Sequence, residues 1–173
     1  RIQCRAAFRQ AARTPSGFDL GEWGTTRYLV GADGPNSIVA KSFGLALSSQ
    51  YLFGVEYEYA GRTIADPDRL HCFVDRQLAL GYIGWIVAGP VGLQVGLAYR
   101  LRGQRQPATA AIQQFLQKIR PVIDLTGVRP DSIRAGKIPC GGTVAPVAAR
   151  RVMLVGDAAG MVSPVTAGGI HTA

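Results

Sequence analysis

The residues best suited to chemistry lie near the end of the 173-residue chain, in the stretch Gly156-Asp157-Ala158-Ala159-Gly160. They follow residues 152–155, a run apolar enough to form a buried strand. A carboxylate just after such a strand can accept hydrogen bonds from ribose hydroxyls. The small residues behind it let backbone amides approach a pyrophosphate, whose charge a helix N-terminus favours. The stretch therefore predicts contact with a phosphate or a ribose.

A second glycine–aspartate turn, residues 31–37, follows a short predicted strand at residues 27–30. Gly31 and Gly34 permit positive φ and close approach of backbone, while Asp33 and Ser37 can cap a following helix. Taken alone, this turn fits an ordinary strand–turn–helix connection as well as it fits a ligand site. The two turns together, in this order and with a block of strands between them, are more specific than either.

Hydrophobic periodicity predicts the elements that must position these turns. A helix is expected between Pro107 and Pro121, with an apolar stripe that packs on a sheet. A short helix capped by Gly44 should follow the first turn, and residues 122–150 should be rich in loops. The strands from residue 51 onward should pair antiparallel, because their connections are short. The alternating or apolar segments that predict strands are residues 1–8, 27–30, 51–59, 70–74, 80–87, 91–101 and 152–155.

Composition narrows the classes of function. The formal net charge is +8, but the arginines are spread along the chain and no zinc spacing accompanies them, which argues against nucleic-acid binding. The charge fits plain solubility or attraction of anionic ligands such as a pyrophosphate or a prenyl diphosphate. No apolar run approaches the roughly 20 residues that span a bilayer.

The cysteines and histidines offer no catalytic or metal-binding arrangement. Cys4, Cys72 and Cys140 lie far apart and form no C-x-x-C pair, so neither a disulfide framework nor a zinc site is expected. His71 and His171 have no partner at metal or catalytic spacing. We therefore expect no bound metal, and the catalytic residues stay unassigned.

The two turns and the block between them resemble the class A flavoprotein monooxygenase superfamily, in the wide sense that includes p-hydroxybenzoate hydroxylase-like enzymes, geranylgeranyl reductases and flavin halogenases. Residues 31–37 look like its DG motif and residues 156–170 like its GD motif. The resemblance covers the layout of the whole chain and is specific at residues 28–40 and 152–173. It implies an α+β (α/β) fold: a partial, Rossmann-like FAD-binding domain, residues 1–48 and 140–173, interrupted by an antiparallel-sheet substrate domain with one helix, residues 49–139.

The resemblance also implies FAD as the cofactor. Asp157 would hold ribityl or ribose hydroxyls, and the amides near Ala159 and Gly160 would face the pyrophosphate. Asp33 would brace the cofactor from the other side, and the loop from Pro164 would flank the isoalloxazine ring. The predicted cofactor-binding residues are Gly31, Asp33, Gly34, Gly156, Asp157, Ala158, Ala159, Gly160, Pro164, Gly168 and Gly169.

The match leans to the geranylgeranyl reductase branch. Gly160 stands where hydroxylases usually carry His, and residues 81–92 resemble a "GY-x-W-x-FP" strand of the reductases. That branch implies hydride transfer from reduced flavin to C=C bonds of a prenyl or other apolar substrate, with Tyr82 and Trp85 as substrate-binding residues. NAD(P)H or another reductant would donate the electrons. The alternatives are a flavin-dependent aromatic hydroxylase and an inert isolated domain that holds no cofactor.

One part of the superfamily's pattern is missing from the sequence. The superfamily opens with a GxGxxG unit that holds the ADP half of FAD, and no GxGxxG is present here. We therefore expect the chain to be a fragment of an oxidoreductase that does not retain FAD by itself. The expected location is cytoplasmic, with peripheral membrane contact left open.

Overall fold

The computed structural model describes residues 2–100 and 108–163. These residues divide into two compact units. The first unit is built from the chain up to Tyr51 and from Ile138 onward, and the second unit runs from Leu52 to Lys137. None of the described helices is both long and apolar enough to cross a membrane.

The first unit contains two small sheets and one short α-helix. Strands β1, β2 and β3 pair antiparallel in that order, and β4 lies at one edge of the second sheet, whose order is β10-β11-β4. A 3₁₀ helix precedes β3 and another follows β11. The elements are β1 (Ala12–Arg13), β2 (Phe18–Asp19), β3 (Thr25–Thr26), β4 (Leu29–Gly31), α1 (Ile38–Phe43), β10 (Ala148–Ala149) and β11 (Val152–Leu154), with 3₁₀ helices at Gly21–Trp23 and Gly156–Ala159.

The core of the first unit forms where α1 packs on β4 and β11. Val39, Ala40 and Leu154 are each buried to 3% exposure or less, because these positions point from the helix and the strand toward each other. Gly44 ends α1 in the left-handed conformation, and its N–H donates to the carbonyl of Ala40. The predicted short helix and its glycine cap are thus confirmed.

The second unit is a five-stranded sheet covered by a helix. Its strand order is β6-β7-β8-β5-β9, and β5, β6, β7 and β8 pair antiparallel as predicted. The elements are β5 (Tyr51–Ala60), β6 (His71–Phe73), β7 (Gly84–Ala88), β8 (Gly92–Tyr99), α2 (Ala108–Lys118) and β9 (Ser132–Pro139). Strands β5 and β9 extend by one or two residues into the residue range of the first unit.

Helix α2 packs on one face of this sheet through the predicted stripe. Ile112, Phe115 and Ile119 are at most 1% exposed and lie in one cluster with residues of β5, β7 and β8. A Cβ on Gly84 would lie 2.5 Å from the Phe115 ring, so glycine is what lets the ring reach the sheet. Lys118 at the end of α2 pairs with Asp75. Side chains of a strand alternate between the two faces of the sheet. The strand residues next in sequence to those that contact α2 therefore point away from α2.

Two sequence expectations are wrong. Residues 2–11 form no strand, and Arg5 has a φ of +57°, which interrupts the extended backbone in the middle of the alternating run. A period of two describes which faces a strand would present, but a strand also needs a hydrogen-bonding neighbour. The segment predicted as Leu80 to Val87 begins its strand only at Gly84, because Tyr82 N–H closes a turn onto the Ala79 carbonyl.

The strand β9 was missed within a region expected to be loops. It contains Gly136 and Pro139, which are unfavourable in strands, and Arg134 and Lys137. Those features suit an edge strand, where charge and proline protect the open side from pairing with other chains. Position at the edge of the sheet therefore overrides the weak strand propensity of this segment.

Candidate functional site

The two glycine–aspartate turns meet because their strands are neighbours. Strand β11 pairs parallel with β4, with Val152 opposite Leu29 and Leu154 opposite Gly31. The N–H of Val155 then donates to the carbonyl of Gly31 at 2.9 Å. Parallel strands end at the same edge of a sheet, so residues 31–37 and 156–160 leave that edge side by side. This is the edge at which α/β sheets bind ligands.

Gly31 is required by close packing between the strand and the helix. A Cβ at this position would lie 2.8 Å from Leu154 Cδ2 and 2.8 Å from Val39 Cβ. Its backbone is not in the left-handed region, so the demand is for space rather than for unusual φ. The glycine allows β4, β11 and α1 to approach closely enough for the two turns to adjoin.

Asp33 is committed to the start of α1. Its Oδ1 accepts from Ser37 Oγ at 2.6 Å, and its Oδ2 accepts from the N–H groups of Ile38 and Val39 at 2.6 and 3.1 Å. Partial desolvation raises the pKa of Asp33, but these hydrogen bonds outweigh it and hold the pKa below its ordinary value. Ser37 in turn accepts from the N–H of Ala40 at 2.9 Å. Asp33 therefore caps α1, which is one of the two roles that the sequence allows for this turn.

Asp157 is placed differently. It lies in the 3₁₀ helix that follows β11 and is partly exposed. Within residues 2–100 and 108–163, no hydrogen bond or ion pair engages its carboxylate. Of the two aspartates, it is therefore Asp157 whose oxygens remain available to hydroxyl groups of a ligand.

Gly160 closes the second turn. It has a φ of +67°, and its N–H donates to the carbonyl of Asp157 at 3.1 Å. A Cβ here would lie 2.4 Å from the carbonyl oxygen of Gly142, in a loop whose Val144 N–H donates to the carbonyl of Ala159. Side chains such as the His of the hydroxylase pattern have no room at this position.

The remaining predicted cofactor-binding residues divide into two groups. Ala158 and Ala159 are buried in the core of the first unit, whereas Gly34 and Gly156 have positive φ of 78° and 58° at their turns. Their assignment to the cofactor stays a prediction. Pro164, Gly168, Gly169 and also His171 lie outside the described residues.

The predicted substrate residues Tyr82 and Trp85 lie in the second unit. Burial, and secondarily the nearby Cys72 thiol, raise the pKa of the half-buried Tyr82. Trp85 lies in β7 on the face away from α2, and its Nε1 donates to Glu56 Oε2 at 3.0 Å. Arg134, in the strand that was missed, donates hydrogen bonds to the carboxylates of both Glu56 and Glu58.

A family model described as an FAD binding domain matches residues 23–173. The chain belongs to the FAD binding domain family. This membership confirms FAD as the cofactor predicted from the two turns. The residues of the two turns fit this cofactor. At the carboxyl edge of the paired parallel strands lie a turn narrowed by glycine and a partly exposed carboxylate that has no partner among the described residues.

Curated relatives point to the reductase branch. The chain is 26% identical over 151 residues to a digeranylgeranylglycerophospholipid reductase of Methanocaldococcus jannaschii, covering 86% of this chain and 38% of that protein. It is 29% identical over 167 residues to digeranylgeranylglycerophospholipid reductase 2 of Methanothermobacter thermautotrophicus, covering 93% and 40%. The chain thus spans about two fifths of these relatives. The predicted resemblance to geranylgeranyl reductases is confirmed.

Solved structures share the fold. A geranylgeranyl bacteriochlorophyll reductase-like protein of Thermoplasma acidophilum aligns with a TM-score of 0.72 and 22% identity, covering 86% of this chain and 38% of that one. The R204Q variant of HpxO from Klebsiella pneumoniae, complexed with FAD, aligns with a TM-score of 0.60 and 17% identity, covering 92% and 45%. These likenesses confirm the predicted α+β fold class.

The capping role of Asp33 predicts a pH-dependent loss of stability in Asp33→Ala. At pH 7 this variant should be less stable than the wild type by about 1 kcal/mol, because three hydrogen bonds at the start of α1 are lost. A carboxyl whose pKa is lowered by folding stabilises above its unfolded pKa and loses that contribution as the pH falls through the folded pKa. Urea unfolding at pH 7 and pH 3 measures both values.

The control for this change is Asp68→Ala, an exposed carboxylate in the loop between β5 and β6. Its effect should be small at both pH values. A stability difference for Asp33→Ala that is unchanged at pH 3 would contradict the ionised cap.

Gly160→Ala should destabilise the first unit by about 2 kcal/mol or more, since it adds a collision with the Gly142 carbonyl to the strain of a left-handed residue. Gly44→Ala is the matched control, because Gly44 has a φ of +66° in the same unit and nothing lies within 4 Å of its added Cβ. It should cost only about 1 kcal/mol. Equal unfolding free energies for the two variants would show that the Gly142 contact is not limiting.

Proposed function

We propose that this chain forms the ribityl side of an FAD site and the substrate sheet of a geranylgeranyl reductase-like enzyme. The observation that carries the proposal is the parallel pairing of β4 with β11, which sets the DG and GD turns side by side. The reductase branch is supported by the names of the curated relatives and by the lack of space for a side chain at Gly160.

Two aspartates would divide the work at the flavin. Asp157 would accept hydrogen bonds from hydroxyls of the ribityl or ribose group, since its carboxylate is partly exposed and has no partner among the described residues. Asp33 would act indirectly, by fixing the turn through which Gly34 approaches the cofactor. Gly160 would keep the turn narrow, and the roles of Pro164, Gly168 and Gly169 beside the ring remain part of the proposal.

Reduced FAD, when bound, supplies a hydride, which with a proton saturates a C=C bond and leaves oxidised FAD. The protein would contribute orientation and an apolar surface for the chain of the substrate. In the second unit, Trp85 and the half-buried Tyr82 are the aromatic residues proposed to meet that chain. NAD(P)H or another reductant would regenerate the reduced flavin.

The proposal extends to peripheral contact with a membrane surface. The relatives named above reduce a glycerophospholipid according to their names, and such a substrate resides in a bilayer. The net charge of +8 favours approach to anionic headgroups.

Flavin titration tests the first half of the proposal in the 173-residue chain. With only the ribityl side of the site present, FAD and FMN should bind with dissociation constants within about threefold of each other, and ADP should bind far more weakly. Asp157→Ala should raise the dissociation constant of FAD by about tenfold or more, the usual effect of removing a charged hydrogen-bond partner. Quenching of flavin fluorescence at equilibrium measures the binding of FAD and FMN, and competition against FMN measures that of ADP. Desalting should remove the flavin.

Asp157→Asn keeps one acceptor oxygen and should fall between wild type and Asp157→Ala, whereas Asp68→Ala should change nothing. Tighter binding of ADP than of FMN would place the contacts on the wrong half of the cofactor. Retention of FAD through desalting would show that the GxGxxG unit is not needed.

The reductase activity is testable in a chimaera in which this chain replaces the 151 matched residues of the Methanocaldococcus jannaschii reductase. The chimaera should retain FAD and, after anaerobic reduction, saturate C=C bonds of a geranylgeranyl lipid, detected as added hydrogen by mass spectrometry. Asp157→Ala in the chimaera should release the flavin.

An oxygenated product formed in air, with oxygen consumption and no saturation under anaerobic conditions, would favour the aromatic hydroxylase instead. A chimaera that folds but binds no flavin, beside a parent reductase that does, would support the inert-domain alternative.

A further inference from the structure

The two edges of the sheet in the second unit are built differently. Strand β9 forms one edge and contains Arg134, Lys137 and Pro139, which hinder pairing with another chain. Strand β6 forms the other edge, and residues 70–74 contain no lysine, arginine, carboxylate, glycine or proline. Apart from its short length, β6 therefore lacks the sequence features by which edge strands avoid pairing.

Apolar side chains are exposed along β6. Leu70 is 57% exposed, Val74 is 85% exposed, and Cys72 between them is also exposed. His71 and Phe73 are partly buried, and Phe73 packs against the core beneath α2. This alternation is that of an extended segment whose residues 70, 72 and 74 lie on the sheet face away from α2. The edge therefore presents both an open backbone and an apolar row to a further strand.

The end of β6 is fixed before any partner arrives. Asp75 Oδ1 accepts from the N–H groups of Gln77 and Leu78 at 2.8 and 3.1 Å. Its other carboxylate oxygen pairs with Lys118 of α2. These bonds set the point at which the chain leaves the sheet, so a strand that pairs with β6 has little of this edge to order.

The sequence around β6 is complementary to itself in the antiparallel direction. A two-fold axis at Cys72 places Leu70 of one copy opposite Val74 of a second copy. The same axis brings Asp68, before the strand, toward Arg76 of the second copy, after it. Both side chains are exposed, and among the residues that the structure describes no ion pair engages either of them. Each end of such a pair combines an apolar contact with opposite charges.

We propose that β6 is a self-association surface, at which two copies of this chain pair antiparallel with Leu70 against Val74 and Cys72 facing Cys72. Both copies use the same surface, so the contact closes at two chains. The charge and proline of β9 keep the opposite edge from extending the assembly. The pairing needs no cofactor, so its test is independent of the proposed function.

The contact is small, which sets its strength. Five strand residues extend over about 17 Å, less than a standard protein interface requires. We expect a dissociation constant of about 10–100 µM, at the weak end for specific contacts. The dimer should therefore form in a concentration-dependent manner.

Sedimentation equilibrium of the flavin-free chain, at concentrations up to about ten times the upper value, measures this association. Val74→Lys should raise the dissociation constant by about tenfold or more, because a charge replaces an apolar contact at the paired edge. Ile133→Lys is the matched control, since Ile133 is a 61% exposed apolar residue in the opposite edge strand β9. It should leave the dissociation constant unchanged.

Charge reversal tests the complementarity at the ends of the pair. Arg76→Asp should raise the dissociation constant about two- to fivefold, because it places like charges near each other at both ends. Adding Asp68→Arg to Arg76→Asp should restore the wild-type value. A double variant no better than Arg76→Asp alone would show that these two side chains do not meet.

Introduced cysteines test the register, in a Cys4→Ser, Cys72→Ser background. Oxidation of mixed Leu70→Cys and Val74→Cys chains with diamide should give covalent dimers, because directly opposite residues approach closely enough for a disulfide. Either chain alone should give few, since its cysteines lie four residues apart along the pair. Cys140 is buried and unchanged throughout.

A chain that stays monomeric over the whole concentration range would overturn the inference. So would dimers that persist in Val74→Lys, with folding confirmed by circular dichroism, or that are lost in Ile133→Lys instead. Covalent dimers from Leu70→Cys alone, and not from the mixture, would contradict the antiparallel register. Because no flavin is present, failure of the FAD titration beside an intact dimer would reject the proposed function alone.

Discussion

The site depends on a pairing between two short strands that are distant in sequence. The β4–β11 ladder comprises three register pairs, yet it joins the chain before the inserted sheet to the chain after it. A pairing of such sequence separation must offset a large loss of chain entropy. The buried cluster of Val39, Leu154 and their neighbours supplies the compensating apolar contact. The two glycine–aspartate turns have a common location only while this ladder holds.

Glycine is required at three positions, for different physical reasons. Gly31 leaves space for α1 against the ladder, Gly160 combines left-handed backbone with contact to a neighbouring carbonyl, and Gly96 lets an indole lie on a strand. Only Gly160 needs positive φ. Gly31 and Gly160 tighten the carboxyl edge of the β4–β11 pair in the first unit, and Gly96 lies in the sheet of the second unit. At each of these positions, the absence of a side chain lets neighbouring groups come into close contact.

Sequence reasoning recovered the elements whose signal is local. The stripe of α2, the antiparallel run from β5 to β8, and the capped helix after Ser37 all follow from periodicity and capping chemistry. It failed where a neighbour decides: residues 2–8 alternate without forming a strand, and β9 pairs at an edge despite Gly136 and Pro139. At the site, both aspartates were found by motif. Only coordinates show that Asp33 is occupied by α1 and that no described partner engages Asp157.

The net charge of the sequence does not predict where anions bind, because pairing between side chains decides which charges remain available. The sequence total of +8 suggests attraction of anions everywhere, but the structure distributes charge by pairing. Arg134 pairs with Glu56 and Glu58, and Lys118 pairs with Asp75. The number of arginines therefore does not by itself locate a phosphate site, since carboxylates beside a guanidinium offset part of its charge. In the first unit, the contacts proposed for the cofactor come from an aspartate and from backbone turns rather than from arginines.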